Sequence, residues 1–283
     1  MDLPVATISA RQGAIFTLPV SGLRVVLREP TGEQDLLLLE APDDDAAALA
    51  LAESLARAGD GRSVDWLGLA PSDLDTLVLR VRQMRLGDRV LSPMTCGHAG
   101  CASRVDITFS IEAYLDFHRP RPAAGRSWRV AAAPGQPAWF RIEEAHSPAG
   151  EAPVREVRFR LPTMADLMAV KHEADPPRAL ARMCLSPPRL DARSRRRAET
   201  AMAAMAPPLS GEIGGLCPEC GTAIAAVFEP RRYCLRELRE RARFIYEDVD
   251  LLASRHHWAE ASILAMPNRR RQTYVELALG GTG

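Results

Sequence analysis

Cys217-Pro218-Glu219-Cys220-Gly221 precedes an apolar stretch at 223–228, and Cys96-Gly97-His98-Ala99-Gly100-Cys101 precedes another at 105–109. Aligned on the second cysteine, the two segments match in register. Val105, Phe109 and Tyr114 stand four, eight and thirteen positions past Cys101, and Ile224, Phe228 and Tyr233 stand at the same offsets past Cys220. Upstream, Val157-Arg158-Phe159-Arg160-Leu161-Pro162-Thr163 echoes Val25-Val26-Leu27-Arg28-Glu29-Pro30-Thr31. The order strand, Pro-Thr, helices, cysteine pair, strand therefore occurs twice, with a period of about 120–130 residues. That period is too long for a solenoid. It fits two related lobes produced by an internal duplication.

Local signals supply the elements. Strands are expected over 14–18 and 23–28, around a turn at Val20-Ser21-Gly22. Thr31 with Gln34 fits a capping box and starts a helix through 36–39. Asp43-Asp44-Asp45 starts the next, through Leu49 and Leu55. Pro71-Ser72-Asp73-Leu74-Asp75 caps a third, with Leu74, Leu77, Val78 and Val81 at helical spacing and Gly87 closing it. In the second lobe Thr163 with Asp166 repeats the cap, a helix starts near Pro177, and another covers 194–205. The Pro-, Gly- and Ala-rich stretch 119–153 reads as a linker with a hairpin at 128–130 and 139–142. Leu235, Leu238, Ala242, Ile245, Val249 and Leu252 recur three and four apart, which predicts one long helix packed within the chain or against a partner helix. A helical hairpin anchored by Trp258 follows, Pro267 opens the last helix, and 280–283 should fray. The expected architecture is α+β and mainly helical: a first lobe (1–118), a linker (119–153), a second lobe (154–234) and a C-terminal long helix and hairpin (235–283). The two lobes share one zinc-ribbon-like site.

Of the 283 residues 47% are hydrophobic and 25% charged, enough apolar material for a packed core and too much for a disordered chain. The 36 basic and 36 acidic residues cancel, which disfavours nucleic acid and anionic membranes as partners. Lys171 is the lone lysine, a bias that reads as coding composition. No apolar run reaches the ~20 residues a membrane helix needs. Residues 1–13 lack a basic segment followed by an apolar one, so a cytoplasmic location is expected, where thiols stay reduced. Six cysteines there point to metal ligands or buried thiols before disulfides.

A C-P-x-C-G knuckle aims two thiolates and several backbone N–H groups at one point, as tetrahedral zinc requires. One pair cannot complete a structural site. Facing knuckles of two duplicated lobes can, with Cys96, Cys101, Cys217 and Cys220 as ligands of one zinc. Such a site typically supplies ~10–16 kcal/mol of apparent binding energy. His98 is an alternative ligand in the looser pair. Dithiol redox chemistry is disfavoured because Gly221-Thr222 leads into a strand and not a helix. Cys184 and Cys234 sit alone at apolar positions and read as small buried hydrophobes.

His256, His257 and Glu260 lack the H-E-x-x-H spacing. The triplets at 195–197 and 269–271 read as solvated arginines. Gly211, Gly214 and Gly215 do not follow an expected strand and so do not read as a phosphate loop. No nucleophile elbow or P-loop motif occurs, and a closed four-thiolate site leaves no position for a substrate. A non-enzymatic protein without a small-molecule substrate is expected.

Leu216-Cys217-Pro218-Glu219-Cys220-Gly221, then Phe228-Glu229-Pro230, the long helix, and His257-Trp258-Ala259-Glu260-Ala261-Ser262-Ile263-Leu264-Ala265-Met266-Pro267 with its arginines resemble the T-even phage base plate protein family, also described as a baseplate hub assembly chaperone. Where members typically show Tyr-His-Trp-Ser-Glu-Ala-Glu-Ile-Leu, His256 here replaces the Tyr, Ala259 the Ser and Ser262 the second Glu. The resemblance is clearest over 216–277. It implies a structural or assembly role in a contractile phage tail or contractile injection system, with baseplate or hub proteins as partners. The seam of 235–252 and the Trp258 hairpin are then candidate partner surfaces. The other reading is a zinc-ribbon nucleic-acid binder, which requires a localised basic patch and binding that falls steeply with salt.

Overall fold

A computed structural model of the chain describes residues 14–125, 127–136, 138–144 and 156–280. The protein is mixed α+β, with 47% helix against 21% strand. The first lobe runs β1 (Ala14–Thr17), β2 (Arg24–Leu27), α1 (Gly32–Glu40), α2 (Asp44–Leu55), β3 (Ala56–Ala58), α3 (Pro71–Leu86), β4 (Arg89–Thr95), β5 (Arg104–Ser110) and α4 (Ile111–Phe117). Strands β6 (Ala124–Gly125) and β7 (Trp128–Ala132) follow. A second series, which begins in the expected linker, covers the expected second lobe and runs into the C-terminal segment, comprises β8 (Phe140–Glu144), β9 (Arg158–Phe159), α5 (Met164–Val170), α6 (Pro176–Cys184), β10 (Leu185–Ser186), α7 (Ala192–Met205), β11 (Gly211–Leu216), β12 (Ala223–Phe228) and α8 (Pro230–Ala242). Helices α9 (Ile245–His256), α10 (Glu260–Leu264) and α11 (Asn268–Gly280) close the chain.

The two series correspond element by element, and the match extends to single hydrogen bonds. β2 pairs antiparallel with β1 and β3, as β9 does with β8 and β10. Arg28 N–H donates to the Leu55 carbonyl at 2.9 Å, and Arg160 N–H to the Cys184 carbonyl at 3.0 Å. Each arginine stands two positions before its Pro-Thr, and each acceptor ends the second helix of its lobe. Both expected N-caps form. Gln34 Oε1 accepts from the Thr31 N–H at 2.9 Å. Asp166 Oδ2 accepts from the Thr163 N–H at 2.9 Å and from its hydroxyl at 3.0 Å.

The chain packs as two compact units. The first contains 14–18, 23–64 and 234–280 and holds the β1-β2-β3 sheet. Leu235, Leu238, Ala242, Ile245 and Leu252 are all buried in it, so the apolar seam is consumed inside the protein and leaves no partner stripe. The expected single helix is two: α8 ends at Ala242 and α9 begins at Ile245, with Phe244 between them at φ −97° and ψ 12°. The three-four spacing survives because residues on both sides of the break are buried. Leu252, Ile263 and Ala278 pack together, with Trp258 and Tyr274 against them. Trp258 stacks on His256 at 4.7 Å and meets Tyr274 edge to face at 5.0 Å.

A buried ionic network crosses the same unit. Arg271 is 2% exposed and donates to Asp35 at 2.6 Å and to Asp248 at 3.1 Å. Asn268 also donates to Asp35, and Gln272 to Asp248. The close of the chain is thereby tied to α1. This is why the described part of 235–283, expected as a separate C-terminal element, packs in one unit with 23–64. A Cβ on Gly32 would lie 2.5 Å from Arg271 Nη1 and 3.1 Å from the Leu264 backbone, so only glycine fits there.

The second unit contains the turn 19–22 and the described residues of 65–233. Its largest sheet has the order β10-β9-β8-β7-β6. The expected linker is therefore largely sheet: β7 and β8 form the anticipated hairpin, and β8 continues onto β9. Phe140 stacks on Phe159 at 5.5 Å, over a cluster that includes Leu185, Ala198 and Ala201. Residues 145–155 and the expected fraying at 281–283 lie outside the described residues. Among the described residues no helix is long and apolar enough to cross a membrane.

Candidate metal centre

Two antiparallel ladders carry the cysteines. One runs from Arg89 opposite Ser110 to Thr95 opposite Arg104, and the other from Gly211 opposite Phe228 to Leu216 opposite Ala223. Neither β4 nor β11 was expected, because Pro93 and the glycines 211, 214 and 215 mask them. At Gly214 a side chain is sterically excluded: its Cβ would lie 2.6 Å from the Ile224 carbonyl oxygen.

The loops that close the ladders, 96–103 and 217–222, are built alike. Cys96 N–H donates to the Ser103 carbonyl at 2.9 Å, and Cys217 N–H to the Thr222 carbonyl at 2.9 Å. The residue after each second cysteine is left-handed: Ala102 at φ 49° and Gly221 at φ 70°. A hydroxyl one position further meets that second sulfur. Cys101 Sγ and Ser103 Oγ lie 3.2 Å apart, and the Thr222 hydroxyl donates to Cys220. The two extra residues of the first loop form a turn in which Cys101 N–H donates to the His98 carbonyl at 2.9 Å.

The loops face each other and bring Cys96, Cys101, Cys217 and Cys220 together, with all four Sγ atoms within 4.8 Å. Cys96 lies 3.7 Å from Cys220, and Cys101 lies 3.9 Å from Cys217. Exchanging the lobes turns one of these pairs into the other, as an approximate twofold axis demands. Val105 and Ile224, the residues at the fourth offset, pack on the sulfurs. Phe109 and Phe228, at the eighth, meet edge to face at 5.0 Å. The tyrosines at the thirteenth cross over. The Tyr114 hydroxyl donates to the Leu209 carbonyl of the second lobe, and the Tyr233 hydroxyl to the Leu91 carbonyl of the first at 2.9 Å.

The spacing suits a metal. Four sulfurs at ~2.3 Å from a central ion form a tetrahedron with edges of roughly 3.8 Å. The two cross-lobe distances match that edge. They are far from the ~2.05 Å of a disulfide, and none of the six cysteines is in a disulfide. The thiols also act on one another. The Thr222 hydroxyl and N–H, with the thiols of Cys217 and Cys96, bring Cys220 down to about 6. The His98 N–H pulls Cys96 down, but burial and the thiols of Cys220, Cys217 and Cys101 together push it up to about 11. Four ionised sulfurs repel one another in so small a space; a central cation removes that conflict. The cluster can therefore hold a metal ion.

His98 is exposed and lies outside the cluster; only its backbone takes part. Cys184 and Cys234 are fully buried and also lie outside it. Ser103 and Thr222 are the supporting groups that reading the cysteines alone misses, although a hydroxyl two positions past each second cysteine is visible in the sequence. His256, His257 and Glu260 are exposed. A cleft of 290 Å³ is lined by Asp73 and Arg160 among others. Its charged groups are engaged internally: Asp73 accepts from the N–H groups of Val20 and Ser21, and Arg160 grips Asp166 with two nitrogens. No family model matches the chain, and neither a curated protein nor a solved structure does.

Proposed function

We propose that this chain is a non-enzymatic structural or assembly protein of the baseplate hub of a contractile phage tail or contractile injection system, stapled by one structural zinc. The observation that carries the reading is the four-sulfur cluster. It brings together the sulfurs of two equivalent knuckles from positions more than a hundred residues apart, a donor set that suits a structural zinc better than a catalytic one. Soft thiolates in tetrahedral array favour zinc over the hard cations. The assignment to a contractile tail rests on the resemblance over 216–277. Part of that segment is core, since Ile263, Leu264 and Arg271 are buried. The hub proteins contacted are therefore met by other side chains of the segment.

The test is mass spectrometry of intact contractile particles purified from cells that encode the chain. A fixed ratio to tube or spike proteins makes it a baseplate component. Recovery only with free hub proteins makes it an assembly factor. Absence from both overturns the reading.

A further inference from the structure

The neutral total charge conceals a strong local imbalance. Residues 176–205, which span α6 and α7, carry seven arginines and two carboxylates, Asp191 and the exposed Glu199, whereas 32–55 carry Asp and Glu but no Lys or Arg. Asp191 is occupied as the N-cap of α7, accepting from the Ser194 N–H at 2.9 Å. Arg178, Arg182, Arg189, Arg193, Arg195 and Arg196 are exposed, and among the described residues none of their guanidinium groups has a hydrogen-bond or ion-pair partner. Ala181 of α6 and Ala198, Ala201, Met202 and Met205 of α7 pack against one apolar cluster, and the arginines lie outside it.

The duplicated lobe supplies an internal control. Its corresponding helices are α2 and α3. α2 has no basic residue at all. On α3, Arg80 pairs with Glu112 and Arg82 donates to the carbonyls of Gly87 and Arg89. The scaffold thus folds without a free arginine face at these positions, and the face on α6 and α7 calls for another cause.

We propose that the outward face of α6 and α7 is a nucleic-acid-binding surface that grips the phosphate backbone. The guanidinium fork fits phosphate oxygens in pairs, and such interfaces are polar and positively charged. A protein partner or a membrane surface asks for exposed apolar anchors as well. Among the described residues α7 exposes no large apolar side chain, and α6 exposes only Met183. Backbone contacts carry no sequence information, so the surface binds without sequence preference. This site is separate from the metal centre and independent of the tail assignment.

The test is fluorescence anisotropy of the full-length, metal-loaded chain with a labelled random-sequence 30-base-pair duplex. Binding at 50 mM salt is expected, with affinity falling about 10³-fold by 200 mM if all six arginines contact phosphate. The Arg178→Gln/Arg182→Gln/Arg193→Gln/Arg196→Gln variant should abolish it without changing the circular dichroism spectrum. The control Arg62→Gln/Arg119→Gln, which removes two exposed arginines held in local ion pairs, should leave it intact. No binding at 50 mM salt, equal loss in the control, or retention on polyglutamate without DNA binding would each overturn the proposal. The last outcome would assign the face to an acidic polypeptide.

Discussion

The rings of Phe109 and Phe228 meet edge to face at 5.0 Å, and each stands eight residues past the second cysteine of its lobe. Equivalent residues that touch each other lie near the axis relating the two lobes. Tyr114 and Tyr233, which also contact Phe228, extend the stack on either side. The four aromatics thus form one contiguous seam between the hairpins. Phe228→Ala should cost about 3–5 kcal/mol, the range for deleting a buried phenylalanine. Urea denaturation of the metal-loaded protein measures it, and a loss under 1 kcal/mol would mean the seam carries little of the stability.

The two knuckles differ at one left-handed position, Gly221 in one and Ala102 in the other. An L-residue pays roughly 1–2 kcal/mol in that conformation. Ala102→Gly should therefore stabilise the protein by up to about 1 kcal/mol after the chain entropy of glycine is counted. Gly221→Ala should destabilise it by a similar amount. Paired thermal melts decide the sign, and the same sign for both would show that the loops are not equivalent.

Arg271 balances two buried carboxylates, Asp35 and Asp248. Burial pushes Asp248 up despite the guanidinium beside it. Arg271→Ala strands both acids and should cost about 3–5 kcal/mol, as broken buried pairs do. The apolar triple variant Asp35→Leu/Arg271→Met/Asp248→Leu should recover most of that loss. Failure of the triple variant to recover would show that the network's geometry, and not its charge balance, is what the unit needs.

Asp166 titrates in the opposite direction. The Arg160 guanidinium and the Thr163 cap hold its carboxyl below the ordinary 3.8. A lowered acid binds protons more weakly in the folded protein than in the unfolded chain. Its stabilisation is therefore complete above 3.8 and fades as pH falls towards the folded value. Asp166→Asn should lower stability at neutral pH and flatten its fall below pH 4. Parallel acid limbs for the two proteins, measured by urea denaturation from pH 2.5 to 7, would contradict this.

Much of this was legible in the sequence for physical reasons that can be named. The offsets of Val105, Phe109 and Tyr114 from Cys101 recur because each side chain has one job at the axis. The Thr31 and Thr163 caps were visible because a hydroxyl three residues before a Gln or Asp satisfies the first helical N–H groups. The short strands were not. β3 and β10 have three and two residues, too few for any alternation to show. β11 is half glycine, and the need for Gly214 comes from the facing strand. The break at Phe244 left the apolar spacing undisturbed, so periodicity alone joined α8 to α9. The free arginines of α6 and α7 were legible as residues but not as a surface, since pairing is a property of the fold.

The central claim is that one metal ion joins the two lobes through two cysteines from each. Native mass spectrometry with elemental analysis of the wild-type chain and of Cys96→Ser and Cys217→Ser tests it most directly. The account predicts one zinc per wild-type chain, and loss or marked weakening of binding in both variants, one from each lobe. A metal content unchanged by either substitution, or no bound metal in the reduced wild-type chain, would contradict it.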